Sequence, residues 1–122
     1  MRDYETLLEE QRGPYTVVVD KTWEDINPRD CFEAEDADEI CRKIDNGTYD
    51  WFMLRVRVQF EGYELAAEYL GGCCYQRPEE VLTDGTAEDI IEQAIEGARK
   101  ETLKLTGSLN KLVDRLVVLR YN

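Results

Sequence analysis

Phe52, Leu54, Val56, Val58 and Phe60 occupy every second position of one short run, and Trp51, Met53, Arg55, Arg57 and Gln59 fill the gaps. Side chains alternate faces along a strand, so this pattern predicts a strand with one buried and one polar face. Glu61-Gly62 then supplies a two-residue turn, and residues 63–70 return as the partner strand. That turn length sets Phe60 opposite Tyr63, Val58 opposite Leu65, Val56 opposite Ala67 and Leu54 opposite Tyr69 on the core face. On the other face Gln59 meets Glu64 and Arg55 meets Glu68, with Arg57 diagonal to both acids. Gly71-Gly72 breaks or bulges the returning strand, and Cys73-Cys74-Tyr75 extends it.

The pattern weakens on either side of this hairpin. Residues 3–11 place Tyr4, Leu7 and Leu8 on one side of a short helix that Gly13-Pro14 ends, and the β-branched run at 15–21 (YTVVVDK) reads as a strand. Residues 22–35 hold Asn27-Pro28 and many acids and read as an irregular loop. Asp36 and Glu39 have the spacing of a capped helix start, Ile40, Cys41 and Ile44 line one face, and Asn46-Gly47 ends it. Residues 78–83 form a proline-initiated helical turn. Thr86 with Asp89 starts a helix over about 87–105, whose apolar stripe is Ile91, Ala94, Ile95, Ala98, Thr102 and Leu105. Thr106-Gly107-Ser108 reads as a stop and restart. Beyond it Leu109, Leu112, Val113, Leu116 and Val117 keep helical spacing, while residues 116–121 (LVVLRY) fit a strand equally well. Together these elements predict one α+β domain over residues 1–122. Its antiparallel sheet has about three strands (15–21, 51–60 and 63–75), packed against two or three helices.

Composition narrows the function classes. The chain has 122 residues, 43% of them hydrophobic, enough for a folded core without staples. No run approaches the ~18 apolar residues of a membrane span. The acidic start MRDYETLLEEQR lacks an apolar signal core, so a cytoplasmic protein is expected, one that begins at Met1 as a complete small gene product. In that setting Cys31, Cys41, Cys73 and Cys74 are reduced thiols. Their positions lack the paired spacing of a structural zinc site, and Asp36, Asp38 and Asp45 do not follow a calcium loop. There is no histidine, the one serine (Ser108) sits at a helix-start position, and no glycine-rich phosphate loop is present. A nucleophilic Cys73 or Cys74 would need an activating base that the sequence does not offer. No catalytic residue, metal or cofactor is therefore expected, and Cys73 reads as a small buried side chain.

Charge is the stronger signal. Twenty-five of the 27 acidic side chains lie in residues 1–98 against nine Lys or Arg, about −16, whereas residues 99–122 carry about +4. The acids cluster in two runs, nine from Glu24 to Asp45 and seven from Glu79 to Glu96. Such a surface disfavours free nucleic acid and anionic membranes and favours proteins with basic surfaces. Glu88, Glu92 and Glu96 repeat every fourth residue, ~6 Å apart along a helix, a spacing comparable with that of phosphates along a nucleic-acid strand. Glu79, Glu80, Asp84 and Asp89 add charge nearby. This array is suited to competing with DNA or RNA for a basic groove. The plainer reading is a solvated helix face. Likewise Arg99, Lys100 and Lys104 suit the C-terminal end of a helix dipole, with a separate docking surface as the alternative. Trp51 and Met53 beside Arg55 and Arg57 make either a contact patch or a face covered by a helix.

The stretch from Tyr49 to Ala98 (YDWFMLRVRVQFEGYELAAEYLGGCCY, then an acidic helix) resembles small acidic accessory proteins of phages, prophages and plasmids, including anti-CRISPR and anti-restriction proteins. The likeness is one of style and size over less than half the chain, and no functional residues are carried over from it. It implies a non-enzymatic, stoichiometric inhibitor that binds a host defence complex. On this reading Glu79, Glu80, Asp84, Glu88, Asp89, Glu92 and Glu96, with Trp51 and Arg57, form the partner-binding set, facing a basic nucleic-acid-binding surface of that complex in the bacterial cytoplasm. The second reading is a protein-interaction module or small structural or regulatory phage component. It uses the Trp51/Met53/Arg57 face, for homodimerisation among other contacts.

Overall fold

The computed structural model describes residues 2–121, with side chains through Leu119. Strands β1 (Glu5–Arg12), β2 (Tyr15–Trp23), β3 (Asp50–Phe60) and β4 (Tyr63–Tyr75) form one antiparallel sheet in the order β1-β2-β3-β4. Helix α1 (Ala34–Asp45) lies between β2 and β3, and helix α2 (Thr86–Tyr121) follows β4. Short 3-10 turns at Pro28–Asp30 and Pro78–Leu82 precede the two helices. The α+β class and the sheet-on-helix arrangement are as expected from sequence.

The sheet has four strands because residues 5–12 pair with β2 instead of forming the expected helix. Gly13 (φ 58°) closes the β1–β2 turn, and the β-branched run beside it gives residues 5–12 a ladder to join. Leu7 and Leu8, expected on a helix face, pack against the sheet core through a bulge between Thr6 and Leu8. Tertiary pairing here outweighs the local helical spacing of a mostly polar octapeptide.

The β3–β4 hairpin keeps its two-residue turn, with Glu61 and Gly62 both at positive φ. Phe60 faces Tyr63 and Gln59 faces Glu64 as expected, but a bulge at Leu65 then shifts the register by one. Val58 meets Ala66, Val56 meets Glu68, Arg55 meets Tyr69 and Leu54 meets Leu70, which overturns the expected Arg55–Glu68 pair. A one-residue slip exchanges the faces of everything downstream. Ala66, Glu68 and Leu70 thereby turn to the side on which α2 lies. Gly71-Gly72 makes a second bulge opposite Met53, with Gly72 at φ 69°, and returns Cys73 to the core opposite Phe52.

Val17, Val19, Phe52, Leu54, Val56 and Val58 form the sheet side of the core, all at 0–1% exposure. Helix α2 closes it with Ala87, Ile91, Ala94 and Ala98, and Val81 from the preceding turn fills in beside them. Small side chains let the helix approach closely: a Cβ built on Gly97 would lie 3.6 Å from that of Ala66. The last tie is a hydrogen bond between the Tyr15 and Thr102 hydroxyls, 3.0 Å.

Helix α2 does not stop at Thr106-Gly107-Ser108. It continues as one helix to Tyr121, so the strand alternative for residues 116–121 is also overturned. The docked first half removes the nucleation cost, and a single glycine costs a propagating helix only ~1 kcal/mol. The Thr106 hydroxyl stays within the helix by donating to the Thr102 carbonyl, 2.8 Å. From Leu103 to Leu119 every residue is exposed, so this half projects beyond the sheet. No helix among the described residues is long and apolar enough to cross a membrane.

Candidate functional site: an acidic face on α2 and β4

The expected acidic array divides into residues held by the fold and residues that face outward. Asp84 belongs to the first group. Its carboxylate accepts from the Tyr75 hydroxyl (2.6 Å) and from the Thr86 backbone N–H (2.9 Å), so it caps α2 and ties it to β4. The Tyr75 bond and the helix N–H hold its pKa below the usual carboxylate range. Glu88 is also held at the surface, taking two hydrogen bonds from the Arg12 guanidinium at 2.8 and 2.7 Å, so that β1 is tied to α2. Glu96 pairs with Arg99 one turn later (3.1 Å).

Asp89 and Glu92 remain exposed, and the register shift in β4 brings Glu68 to their side. Glu68, Asp89, Glu92, Gln93, Glu96 and Lys100 line one shallow depression of about 610 Å³, with Gly97 at its floor. Four carboxylates thus share an open face with Lys100, and one of them, Glu96, is already paired with Arg99. Glu79 and Glu80 are not part of it. Glu79 lines a separate hollow with Glu5, Glu24, Asp50 and Lys21, and Glu80 lies 4.0 Å from Arg77.

Trp51 and Arg57 lie on the opposite side of the sheet, and neither is an open contact point. The Trp51 indole N–H donates to the Ile26 carbonyl (2.9 Å), and its ring packs at 5.9 Å from Phe32. The loop between β2 and α1, not either expected helix, therefore covers this end of the face. Glu24 pins that loop by accepting from the Gly72 backbone N–H, 2.8 Å. Arg57 and Arg55 both donate to Asp20, which is buried to 1% exposure in the β-branched run of β2. The Thr6 hydroxyl donates to the other Asp20 oxygen, and the Arg55 guanidinium stacks 3.4 Å over the Tyr4 ring. This cluster was not foreseen. Its signal was a lone aspartate inside VVVDK and two arginines on the polar face of β3.

Among the described residues no group of three or more His, Cys, Asp or Glu side chains is placed to hold a metal ion. Burial pushes the Cys73 thiol up to about 11, and its sulfur lies 3.6 Å from the Leu70 carbonyl. Cys74 is also raised by burial, with the Asp50 carboxylate adding to the effect. Thiols shifted this way are poor nucleophiles at neutral pH. No family model, curated protein or solved structure matches the chain.

The Arg12–Glu88 tie predicts a specific pH response. The Arg12 hydrogen bonds hold the Glu88 carboxyl below its ordinary value. A carboxylate whose pKa falls on folding stabilises fully above its unfolded value of about 4.3 and loses that contribution as pH drops through the folded value. With the two side chains 32% and 45% exposed, the pair is worth at most about 1 kcal/mol. Arg12→Ala should therefore cost no more than that at pH 7 and flatten the fall in stability below about pH 4.3. Urea unfolding at a series of pH values reads both effects, and an unchanged acid limb would count against the pair.

Proposed function

We propose that this protein is a non-enzymatic binding protein whose acidic α2–β4 face occupies a basic, nucleic-acid-binding surface of a protein partner. The observation that supports it is the convergence of Glu68, Asp89, Glu92 and Glu96 on one open depression. Helix α2 supplies three of these carboxylates in successive turns, and a bulge in β4 turns the fourth to join them. Burial of α2 on the sheet fixes their mutual spacing before any partner is met, so little ordering cost remains on binding. In keeping with the resemblance to mobile-element accessory proteins, we take that partner to be a bacterial defence complex, inhibited by exclusion of its DNA or RNA.

The structure changes which residues should carry this activity. Glu88 is tied to Arg12 of β1, so reversing it would set a lysine against an arginine and mix a stability change with any loss of binding. Glu68→Lys, Asp89→Lys and Glu92→Lys together reverse the open face instead. We expect the wild-type chain to displace labelled target DNA from a guide-loaded CRISPR effector or a restriction enzyme, and the triple variant to fail while keeping its circular dichroism spectrum. The wild-type affinity should fall steeply as ionic strength rises, because the contact is between solvent-exposed charges. Equal displacement by the triple variant, or a salt-independent affinity, would refute the acidic-face reading.

A further inference from the structure

We infer that the projecting half of α2 pairs with the same segment of a second copy of this chain, the two helices running antiparallel. Ile91, Ile95, Ala98 and Thr102 face the sheet at intervals of four, three and four residues. The same alternation continues without a break through Leu105, Leu109, Leu112, Leu116 and Leu119. Leucine fills every position of this continued seam. A 3-4 repeat of apolar residues is the pattern by which one helix packs along another. In the first half the sheet occupies that seam; in the second no described residue covers it, and its five leucines are 40–70% exposed.

The seam runs into an apolar groove. Where α2 leaves the sheet, Tyr15, Phe60, Tyr63 and Leu65 face Leu105 and Leu109 across about 690 Å³ of open space. Tyr63 is 73% exposed and Phe60 43%. Two α2 segments crossing antiparallel about Leu112 would set Leu119 of each copy beside Leu105 of the other. Each helix tip then enters the partner's groove, making the contact isologous and closed. Full burial of a Val or Leu gains ~1.5–3 kcal/mol at ~25 cal/mol per Å², or ~60–120 Å² per side chain. The five seam leucines and Val113, with Phe60 and Tyr63, thus offer several hundred Å² per copy, approaching the ~800 Å² per partner of a stable interface.

Charge selects the orientation. Residues 1–98 carry about −16, while the projecting residues 105–119 carry about +1 (Lys111 and Arg115 against Asp114). A parallel pair would place two acidic bodies side by side, whereas an antiparallel pair separates them. It also carries Lys111 and Arg115 of each helix toward the other copy's acidic body. An anionic membrane, the other natural surface for a basic amphipathic helix, would attract the helix but repel the body.

Sedimentation velocity and small-angle scattering on the full chain from 1 to 100 µM test this directly. The expected result is a mass twice the 14.2 kDa of the chain, in an elongated particle with a body at each end. Leu109→Asp with Leu112→Asp should restore the monomer with an unchanged urea midpoint at submicromolar protein, because both side chains are solvent-exposed in the single copy. A monomer throughout the range, a double variant that remains dimeric, or a compact dimer with adjacent bodies would each overturn the assignment. So would wild-type monomers that bind phosphatidylserine vesicles through this segment.

Discussion

Asp20→Ala is expected to destabilise the protein by about 3–5 kcal/mol, the cost of removing one partner from a buried charge cluster. For a chain of this length that corresponds to a fall of roughly 10–20 °C in Tm. Asp20 is 1% exposed and accepts from Thr6, Arg55 and Arg57, with Arg55 at 2.7 Å and Arg57 at 3.1 Å. Its removal leaves two guanidinium groups on neighbouring strand positions with no anion between them. The Thr6 hydroxyl loses its acceptor, and the Arg55 plane stacked on Tyr4 loses the bond that orients it. On this face the cluster joins side chains of β1, β2 and β3, adding to the backbone ladders between them. Replacing the whole cluster by apolar side chains should cost far less, because no orphaned charge remains. Asp20→Val combined with Arg55→Met and Arg57→Met is therefore expected to recover most of the loss. Thermal and urea unfolding of both variants decide the matter. A single Asp20→Ala change costing under about 1 kcal/mol would show that water already screens the pair.

The comparison of β3 with β1 shows what could be read from sequence. In β3 five apolar residues alternate with polar ones over nine positions, and local pattern, turn chemistry and burial agree. Residues 5–12 carry only two leucines among acids, and they are adjacent, so neither period two nor period 3.6 is marked. Their structure is decided by the β2 edge beside them, which a local reading does not contain. The bulge at Leu65 is of the same kind. Glu61-Gly62 sets the first two pairs of the hairpin, but nothing in the run at 63–70 (YELAAEYL) announces an extra residue. That residue moved Glu68 from an expected partnership with Arg55 to the acidic face. Charge reading located α2 as the acidic element, yet long-range partners divided its acids: Arg12, 76 positions away, takes Glu88 out of the open set. Gly107 misled in the opposite direction, since a helix already anchored over four turns tolerates one glycine.

Ile91→Ala is expected to cost about 2–5 kcal/mol, the range for cutting a buried isoleucine to alanine. Among the described residues Ile91 is the one large, fully buried side chain that α2 contributes to the core; its other buried residues are alanines. Those alanines bring the helix close to the sheet but fill little volume, so the cavity left at position 91 has few side chains able to relax into it. Cooperative loss of the α2 contact would free Glu92 and Glu96 from Glu68 and disperse the acidic face. Leu112, twenty-one positions further along the same seam, supplies the contrast. It is 49% exposed, and Leu112→Ala should change the stability of the isolated monomer by no more than about 0.5 kcal/mol. Urea unfolding at submicromolar protein, followed by circular dichroism, keeps self-association from contributing to either value. If the two variants lose equal stability there, the sheet is not what Ile91 packs against. If only Ile91→Ala loses it, one heptad seam serves two ends: its first half builds the fold, and its second half is left to a partner.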